Sequence, residues 1–264
     1  MSSYAESGSP FLWAEYTIAN APVIPHPFPH IYVRGVFPQG FYDELQRHLP
    51  PPQAMQSLEE ARGTGGYPER SVLELPLEGS PRLAEPLRSF WTGVAQGFLG
   101  GDGRFGRAVL AKFEPAIAPR LQNSRDYEIV DELVLIRDAR RYQLGPHTDK
   151  PTKLVSLLFY LPGNDRFARH GTSIYVPRDP AFTCPGGPHH PFEQFERMAT
   201  MPFLPNTLFG FPKTANSFHG VEPVREEGVE RWLLLYDLYA RDAQPREKAP
   251  PQAATAAPQI RFTF

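Results

Sequence analysis

The chain has 264 residues, with 27 Lys and Arg against 29 Asp and Glu, 31 prolines and one cysteine. This length suffices for one domain with a substantial core. The balanced charge argues against a strongly basic nucleic-acid or membrane binder, and a lone Cys184 excludes an internal disulfide framework. Residues 1–16 lack the pattern of a secretory signal and no apolar run is long enough to span a bilayer, so we expect a cytoplasmic protein.

The N-terminal half predicts an arm followed by helices. Residues 1–29 end in a proline-rich stretch and are expected to be extended. The segment FPQGFYDELQRHL, residues 37–49, carries apolar residues four apart and predicts a short amphipathic helix, which the next three prolines end. Three further segments follow: a loop over 53–70, a helix from Ser80 and Pro81 to Leu99 that Pro86 kinks or delays, and a helix around 104–113.

From about Asp126 the apolar pattern changes to that of strands. Short apolar segments flanked by Pro, Gly or Asn are expected at 127–137, 154–161, 173–176, 207–211, 217–221 and 230–239. Many short strands after a run of helices predict an α+β fold, mainly β: a β-sandwich or jelly roll covered on one side by N-terminal helices. We therefore divide the chain into an arm and helical layer (1–125), a core (126–240) and a Pro/Ala-rich tail (241–264).

The stretch YQLGPHTDK, residues 142–150, is the most informative. In an extended strand His147 and Asp149 point to the same face, so one segment can offer an imidazole nitrogen and a carboxylate oxygen to one ion. His219, in NSFHGVEPV, is the best candidate for a third ligand. Two His and one carboxylate leave open positions on an octahedral ion, as in non-haem Fe(II) oxygenases. Taken alone, His-x-Asp also suits an ordinary surface or capping pair.

Further motifs follow in a fixed order: GTSIY at 171–175, NTLFGF at 206–211, and GVERWLLLY at 228–236. With them, residues 130–240 resemble the Fe(II)- and 2-oxoglutarate-dependent dioxygenases, within them the prolyl-hydroxylase-like branch. The stretch PFPHIYVRGVFPQGFYDEL, residues 27–45, resembles the lead-in of bacterial members. The resemblance implies a double-stranded β-helix, or jelly-roll, core in which His147, Asp149 and His219 hold Fe(II).

The resemblance also implies residues for the co-substrate. Arg231 stands where the family keeps a basic residue for the far carboxylate of 2-oxoglutarate, and a guanidinium binds a carboxylate in bidentate fashion. The interval from His219 is slightly longer than usual, so Arg225 is a rival, and Arg231 could also be a surface residue paired with a neighbouring glutamate. Tyr160 and Tyr142 are candidates for the same ligand, or are plain core or strand-end aromatics.

Strand alternation places Arg231 with Leu233, Leu235 and Asp237 on one face of the last strand, and the residues between them on the face that the helices cover. Ile174 would be an apolar wall beside the co-substrate, or an ordinary core residue. We interpret His170, His189 and His190 as loop residues with at most a lid or substrate role, and Cys184 as a loop residue without a basic neighbour that would make it a nucleophile. Lys150 and Lys153 could meet an anionic substrate, but we expect solvated lysines at the strand edge.

The implied reaction is hydroxylation of an unactivated C–H of a small molecule or of a peptide or protein side chain, with release of succinate and CO2. Asp149 argues against halogenation, because halogenating relatives replace this carboxylate, whereas desaturation and ring closure stay open. The alternatives are a non-catalytic jelly-roll binding module, a zinc hydrolase, for which we find no H-E-x-x-H, and a nucleic-acid demethylase of the same superfamily. No membrane partner is expected.

Overall fold

The structure, a computed structural model, describes residues 8–77, 83–121, 127–139 and 141–242. Within these ranges, two antiparallel sheets pack face to face and five α-helices accompany them. The helices are α1 (Pro10–Asn20), α2 (Gln39–Arg47), α3 (Leu58–Arg62), α4 (Leu87–Leu99) and α5 (Arg104–Leu121). None of them is both long enough and apolar enough to cross a bilayer.

The strands number eleven in the described part of the chain. They are β1 (Ile31–Arg34), β2 (Gln56–Ser57), β3 (Arg70–Leu75), β4 (Tyr127–Asp138), β5 (Leu144–His147), β6 (Lys153–Tyr160), β7 (Thr172–Pro177), β8 (Phe195–Met201), β9 (Thr207–Pro212), β10 (His219–Val221) and β11 (Arg231–Asp242). The large sheet has the order β1-β9-β6-β11-β4-β3-β2, and the small sheet has the order β5-β10-β7-β8. This two-sheet arrangement confirms the predicted jelly-roll core with helices.

Two apolar cores lie on the two faces of the large sheet. One core joins its outer face to the helices and contains Leu234 and Tyr236 of β11 together with Phe98 of α4. The other joins its inner face to the small sheet and contains Leu233 of β11 together with Ile174 of β7. The side chains of β11 therefore alternate between the faces as the sequence predicts, and the strand is buried on both sides.

The N-terminal region contains more regular structure than the sequence predicts. Residues 10–20 form α1 instead of an extended arm, and the ring of Phe11 packs edge-on against Phe98 with ring centroids 5.2 Å apart. A Cβ atom at Gly97 would lie 2.1 Å from that ring, so α4 accepts Phe11 only because it has a glycine there. The expected loop 53–70 contains β2 and α3, and Ser57 and Glu60 form a capping box.

Three other elements, α4, α5 and β8, differ from the predictions in where they lie or in where they begin and end. Helix α4 begins at Leu87, directly after Pro86, so the proline delays the start; the predicted cap at Ser80 and Pro81 lies outside the described residues. Helix α5 continues to Leu121 through Pro115 and Pro119, because an apolar face with four-residue spacing keeps it packed on the large sheet. Strand β8 lies in the expected loop 178–200, and the predicted tail lies outside the described residues from 243 onward.

Candidate metal centre and anion-binding end

Three predicted ligands lie together where β5 and β10 pair. His147 ends β5, His219 begins β10, and the two are direct cross-strand partners with ring centroids 4.3 Å apart. Asp149 follows two residues after His147, and one ligand atom from each of the three residues lies within 4.8 Å of the others. The spacing in the sequence therefore corresponds to a compact, buried group of two imidazoles and one carboxylate, the donor set that suits a divalent transition metal.

Backbone carbonyls fix the orientation of both imidazoles. The Nδ1 atom of His147 lies 3.0 Å from the carbonyl oxygen of Gly145, and that of His219 lies 3.0 Å from the carbonyl oxygen of Ser217. A ring nitrogen that donates to a carbonyl carries the proton, which leaves Nε2 with the lone pair that a metal requires. Burial lowers the pKa of both histidines, most strongly that of His147, so both rings are neutral at pH 7.

The carboxylate of Asp149 is held at both oxygens. The hydroxyl of Ser156 donates to Oδ2 at 3.1 Å, and the ammonium group of Lys153 lies 3.3 Å from Oδ1. Burial by itself would raise the pKa of Asp149, but the ammonium group of Lys153 and the hydrogen bond from Ser156 lower it, so the pKa lies well below its usual range. Asp149 is therefore ionised, as a metal ligand must be.

The environment predicted for Lys153 is wrong. Its side chain is only 11% exposed, and its ammonium group lies 2.7 Å from Oδ2 of Asp237 as well as close to Asp149. Burial would lower the pKa of Lys153, but the two carboxylates raise it above its usual value. A solvated lysine at the strand edge was expected, whereas β6 begins with a buried cation between two buried anions. We call His147, Asp149, His219, Lys153 and Asp237 the metal end.

Arg231 lies at the start of β11 and is 1% exposed. Its Nη1 donates to Oδ2 of Asp138 at 2.7 Å and its Nε donates to the carbonyl oxygen of His170 at 2.5 Å. The rival Arg225 is exposed, and Glu230, considered as a surface partner, pairs with Arg137 instead. Arg231 is therefore the buried guanidinium of the two candidates.

A second arginine contacts the same carboxylate. Arg70, the first residue of β3, donates to Asp138 through Nε at 2.7 Å and Nη2 at 3.0 Å. Arg70 and Asp138 are direct cross-strand partners, as are Asp138 and Arg231. Two guanidinium groups thus share one carboxylate, which leaves an excess positive charge at this place.

Tyr142 lies against this pair of arginines, and the hydroxyl of Tyr160, which is bonded to Thr172, interacts electrostatically with Arg231. The guanidinium groups of Arg70 and Arg231 lie 4.4 Å and 5.9 Å from the ring centre of Tyr142, which is fully buried. The Tyr142 hydroxyl and the Oγ1 atom of Thr172 are buried without a hydrogen-bond partner among the described residues. The Tyr160 hydroxyl accepts from the Thr172 amide at 3.1 Å, and burial raises the pKa of Tyr160 to about 12.

We call Arg70, Asp138, Arg231, Tyr142, Tyr160 and Thr172 the anion end. Polar groups buried without a partner are costly, and an excess buried charge is costly as well. A carboxylate would satisfy both at once, since it offers negative charge and lone pairs. This end is therefore a candidate site for an anion. Ile174, the cross-strand partner of His219, belongs to the inner core.

The loop after β7 covers the metal end. The ring of His189 lies with its centroid 4.5 Å from that of His147, and the Tyr67 hydroxyl lies 2.6 Å from Nδ1 of His189. A Cβ atom at Gly186 would lie 2.1 Å from the carbonyl oxygen of Asp149, so the loop approaches the metal strand closely. His189 thus lies beside a predicted ligand, in a position suited to the substrate role that the sequence left open.

Three other residues that were predicted to lie in loops, His190, Cys184 and His170, contact neighbouring side chains of the fold. His190 packs among the rings of Phe182, Phe195 and Phe218, and Cys184 is buried in the same apolar cluster. The Nε2 atom of His170 lies 3.1 Å from Glu226.

Sequence reasoning missed the roles of Arg70, Asp138, Asp237 and Tyr67. Arg70 follows a glycine-rich stretch that reads as a loop, and nothing near it in sequence marks it as buried. A signal existed for Asp237 and Asp138, because each is a carboxylate in or at the end of an apolar strand, where a buried charge requires a partner.

Comparison with known proteins gives structural likeness only. No family model matches the chain, and no curated protein matches it. A prolyl hydroxylase from Trichoplax adhaerens, in complex with a hypoxia inducible factor peptide, aligns at 11% identity and a TM-score of 0.46 over 87% of this chain and 88% of that chain. A 2OG-Fe(II) oxygenase family protein from Burkholderia pseudomallei aligns at 15% identity and a TM-score of 0.43 over 89% and 91%.

The alpha-ketoglutarate-dependent epimerase SnoN from nogalamycin biosynthesis aligns at 13% identity and a TM-score of 0.46, over 96% of this chain and 98% of that chain. At identities of 11 to 15%, neither reaction nor substrate carries over from these proteins to this chain.

Proposed function

We propose that the protein is an Fe(II)- and 2-oxoglutarate-dependent oxygenase of the prolyl-hydroxylase-like branch that hydroxylates an unactivated C–H group. The observation that carries the proposal is the coexistence, inside one sandwich, of a His-Asp-His group and a buried site with excess positive charge. A 2-oxo diacid has one end that chelates a metal and another that requires a cation, and this chain offers a place for each.

The separation of the two ends supports a ligand of that length. Ile174 of β7 pairs with His219, and Thr172 lies two residues earlier on the same strand, with its amide bonded to Tyr160. Two residues of strand correspond to about 7 Å. A ligand that starts at the metal end and follows β7 therefore meets the anion end after a distance that a five-carbon diacid can bridge.

Each group of the chain has a role in this proposal. His147, Asp149 and His219 would hold the metal and leave open positions for the keto-acid and for O2. Arg231 would bind the far carboxylate, Tyr160 and Tyr142 would donate hydroxyl groups to it, and Arg70 would share Asp138 so that Arg231 is not fully neutralised. When bound, Fe(II) supplies the activation of O2 that couples decarboxylation of 2-oxoglutarate to succinate with oxidation of the substrate.

The substrate would enter beside His189, which is exposed, lies next to the buried His147 and is bonded to Tyr67. A small molecule and a peptide side chain are both compatible with this placement, and the balanced charge gives no reason to favour nucleic acid. The presence of Asp149 favours hydroxylation. A cytoplasmic location stays a prediction.

Anaerobic titration with Fe(II) and 2-oxoglutarate tests the proposal. We expect the weak visible charge-transfer band of the chelate to form with the wild-type protein, to vanish in His147→Ala and to weaken in Arg231→Ala. Arg225→Ala is the matched control, because Arg225 is exposed and should leave the band unchanged. A wild-type protein that binds Fe(II) but forms no band would contradict the proposal and favour a binding module or a hydrolase.

A further inference from the structure

Three charged groups form a row that begins at Asp149, one of the predicted metal ligands. The Nζ atom of Lys153 lies 3.3 Å from Asp149 and 2.7 Å from Asp237, and the side chains of all three residues are no more than 11% exposed. Removing charges from water costs free energy unless they are paired. Burying these three charges therefore requires that they pair closely with one another. Neither the fold nor the proposed reaction accounts for their presence.

The row is tied into the strands that carry it. Asp237 of β11 is the direct cross-strand partner of Ser156 of β6, and Ser156 donates to Oδ2 of Asp149 while Lys153 contacts Oδ1. The Tyr239 hydroxyl also donates to Asp237, at 3.2 Å. Ser156 thus places a hydrogen bond on one oxygen of Asp149 and Lys153 forms an ion pair with the other, while Asp237 fixes the position of Lys153.

We propose that Lys153 is a positioning residue of the metal centre: held by Asp237, it fixes the plane of the Asp149 carboxylate so that this ligand is in place before a metal binds. Donors that hold a ligand from behind set its orientation and its affinity for the metal. Asp237 has a second effect, because it divides the charge of Lys153 between two carboxylates. Asp149 thereby keeps more of its negative charge for the metal.

The proposal rests on the metal centre but not on the proposed reaction, so Co(II) binding followed by its visible ligand-field spectrum is a suitable measurement. In Lys153→Met with Asp237→Asn, one positive and one negative charge are removed together, so the net charge of the metal end is unchanged and the contact that positions Asp149 is lost. We expect the Kd for Co(II) to rise about tenfold or more, with a changed spectrum. Lys153→Arg should restore the wild-type spectrum, because the cation is kept.

Lys150→Met is the matched control, since Lys150 adjoins Asp149 in sequence but is exposed, and it should change neither Kd nor spectrum. Asp237→Asn alone is nearly isosteric, so it still tests the proposal if the double variant does not fold. It should weaken Co(II) binding because the undivided charge of Lys153 then acts on Asp149.

Two results would overturn the proposal: folded variants that bind Co(II) with wild-type Kd and spectrum, or variants that bind it more tightly, since Lys153 would then act by repulsion alone. A wild-type protein that fails to bind Co(II) at all would instead refute the metal centre.

Discussion

The two ends of the site differ in whether the groups that would face a ligand are already held by hydrogen bonds or ion pairs. At the metal end both histidine rings are held by backbone carbonyls, and Asp149 is held at both oxygens. An unpaired buried atom at this end, in the described ranges, is Oδ1 of Asp237, which is not a predicted ligand. At the anion end two arginines share one carboxylate, and the hydroxyls of Tyr142 and Thr172 have no partner in the described part of the chain. The predicted ligands at the first end are therefore held in place before any ligand binds, whereas the second end has buried polar groups that an anion would pair.

Removing a ligand from the organised end should have the largest effect. Asp149→Gly should abolish succinate formation while the far-UV circular dichroism spectrum stays that of the wild type, because Asp149 belongs to neither apolar core and Lys153 keeps its ion pair with Asp237. Succinate release at saturating Fe(II) measures the first effect. Activity that survives in Asp149→Gly would show that the metal end is assigned to the wrong residues.

Arg70→Met should weaken 2-oxoglutarate binding strongly. Without Arg70, Asp138 pairs only with Arg231 and neutralises it, which removes the excess charge. A hydrogen bond to a charged group is worth about 1.5–3 kcal/mol, so we expect Kd to rise roughly tenfold or more. Calorimetric titration measures the change, with Arg62→Met, an arginine nearer the protein surface, as the control. An unchanged Kd in Arg70→Met would limit the anion end to Arg231.

Tyr142→Phe should have opposite effects on stability and on binding. In the free protein the Tyr142 hydroxyl is buried without a partner in the described ranges, and such a group costs about 1–3 kcal/mol. Its removal should leave the free energy of unfolding unchanged or higher, while the affinity for 2-oxoglutarate falls. Urea unfolding with and without the ligand separates the two. A variant that is destabilised without ligand and binds normally would show that this hydroxyl has a purely structural role.

The smallest effect is expected on the helix-facing side of the sheet, at Asp131. Burial raises the pKa of Asp131 to about 6, although the Tyr236 hydroxyl donates to it at 3.2 Å. A carboxyl group whose pKa is raised by folding favours the folded state below its unfolded pKa, and this contribution is lost as the pH rises through 6.

Asp131→Asn should therefore match the wild type in stability near pH 4 and exceed it near pH 7 by about 1 kcal/mol, a value reduced because solvent reaches part of the group. Unfolding in urea at both pH values measures this. A difference that is constant with pH would show that Asp131 is not the titrating group.

Much of the fold follows from local patterns. The strands of the core have apolar runs that end at Pro, Gly or Asn, and alternation assigned the faces of β11 correctly. Helix α1 was missed because the prolines at 22–29 dominated the interpretation of the segment, although Ser9 and Pro10 begin a helix there as Ser80 and Pro81 were expected to do. Strand β8 was missed in the same way, after a stretch rich in Pro and Gly.

Part of the site could likewise be predicted from the sequence, and part of it could not. His147 and Asp149 are two residues apart, so their common face can be read from the sequence. Arg70 and Asp138 are 68 residues apart and meet only because β3 pairs with β4 in one register. Lys153 and Asp237 likewise meet across the paired strands β6 and β11. Contacts that depend on strand register have no local signature, and the missed charged residues at both ends of the site, Arg70 and Asp138 at one and Asp237 at the other, are of this kind.

The most direct test of a single ligand that joins the two ends compares two keto-acids. 2-Oxopentanoate has the chain length of 2-oxoglutarate but lacks the far carboxylate, so it can use only the metal end. With Co(II) bound, we predict that Arg231→Met weakens 2-oxoglutarate binding about tenfold or more and leaves 2-oxopentanoate binding unchanged. Equal losses for the two acids, or none for 2-oxoglutarate, would contradict the account.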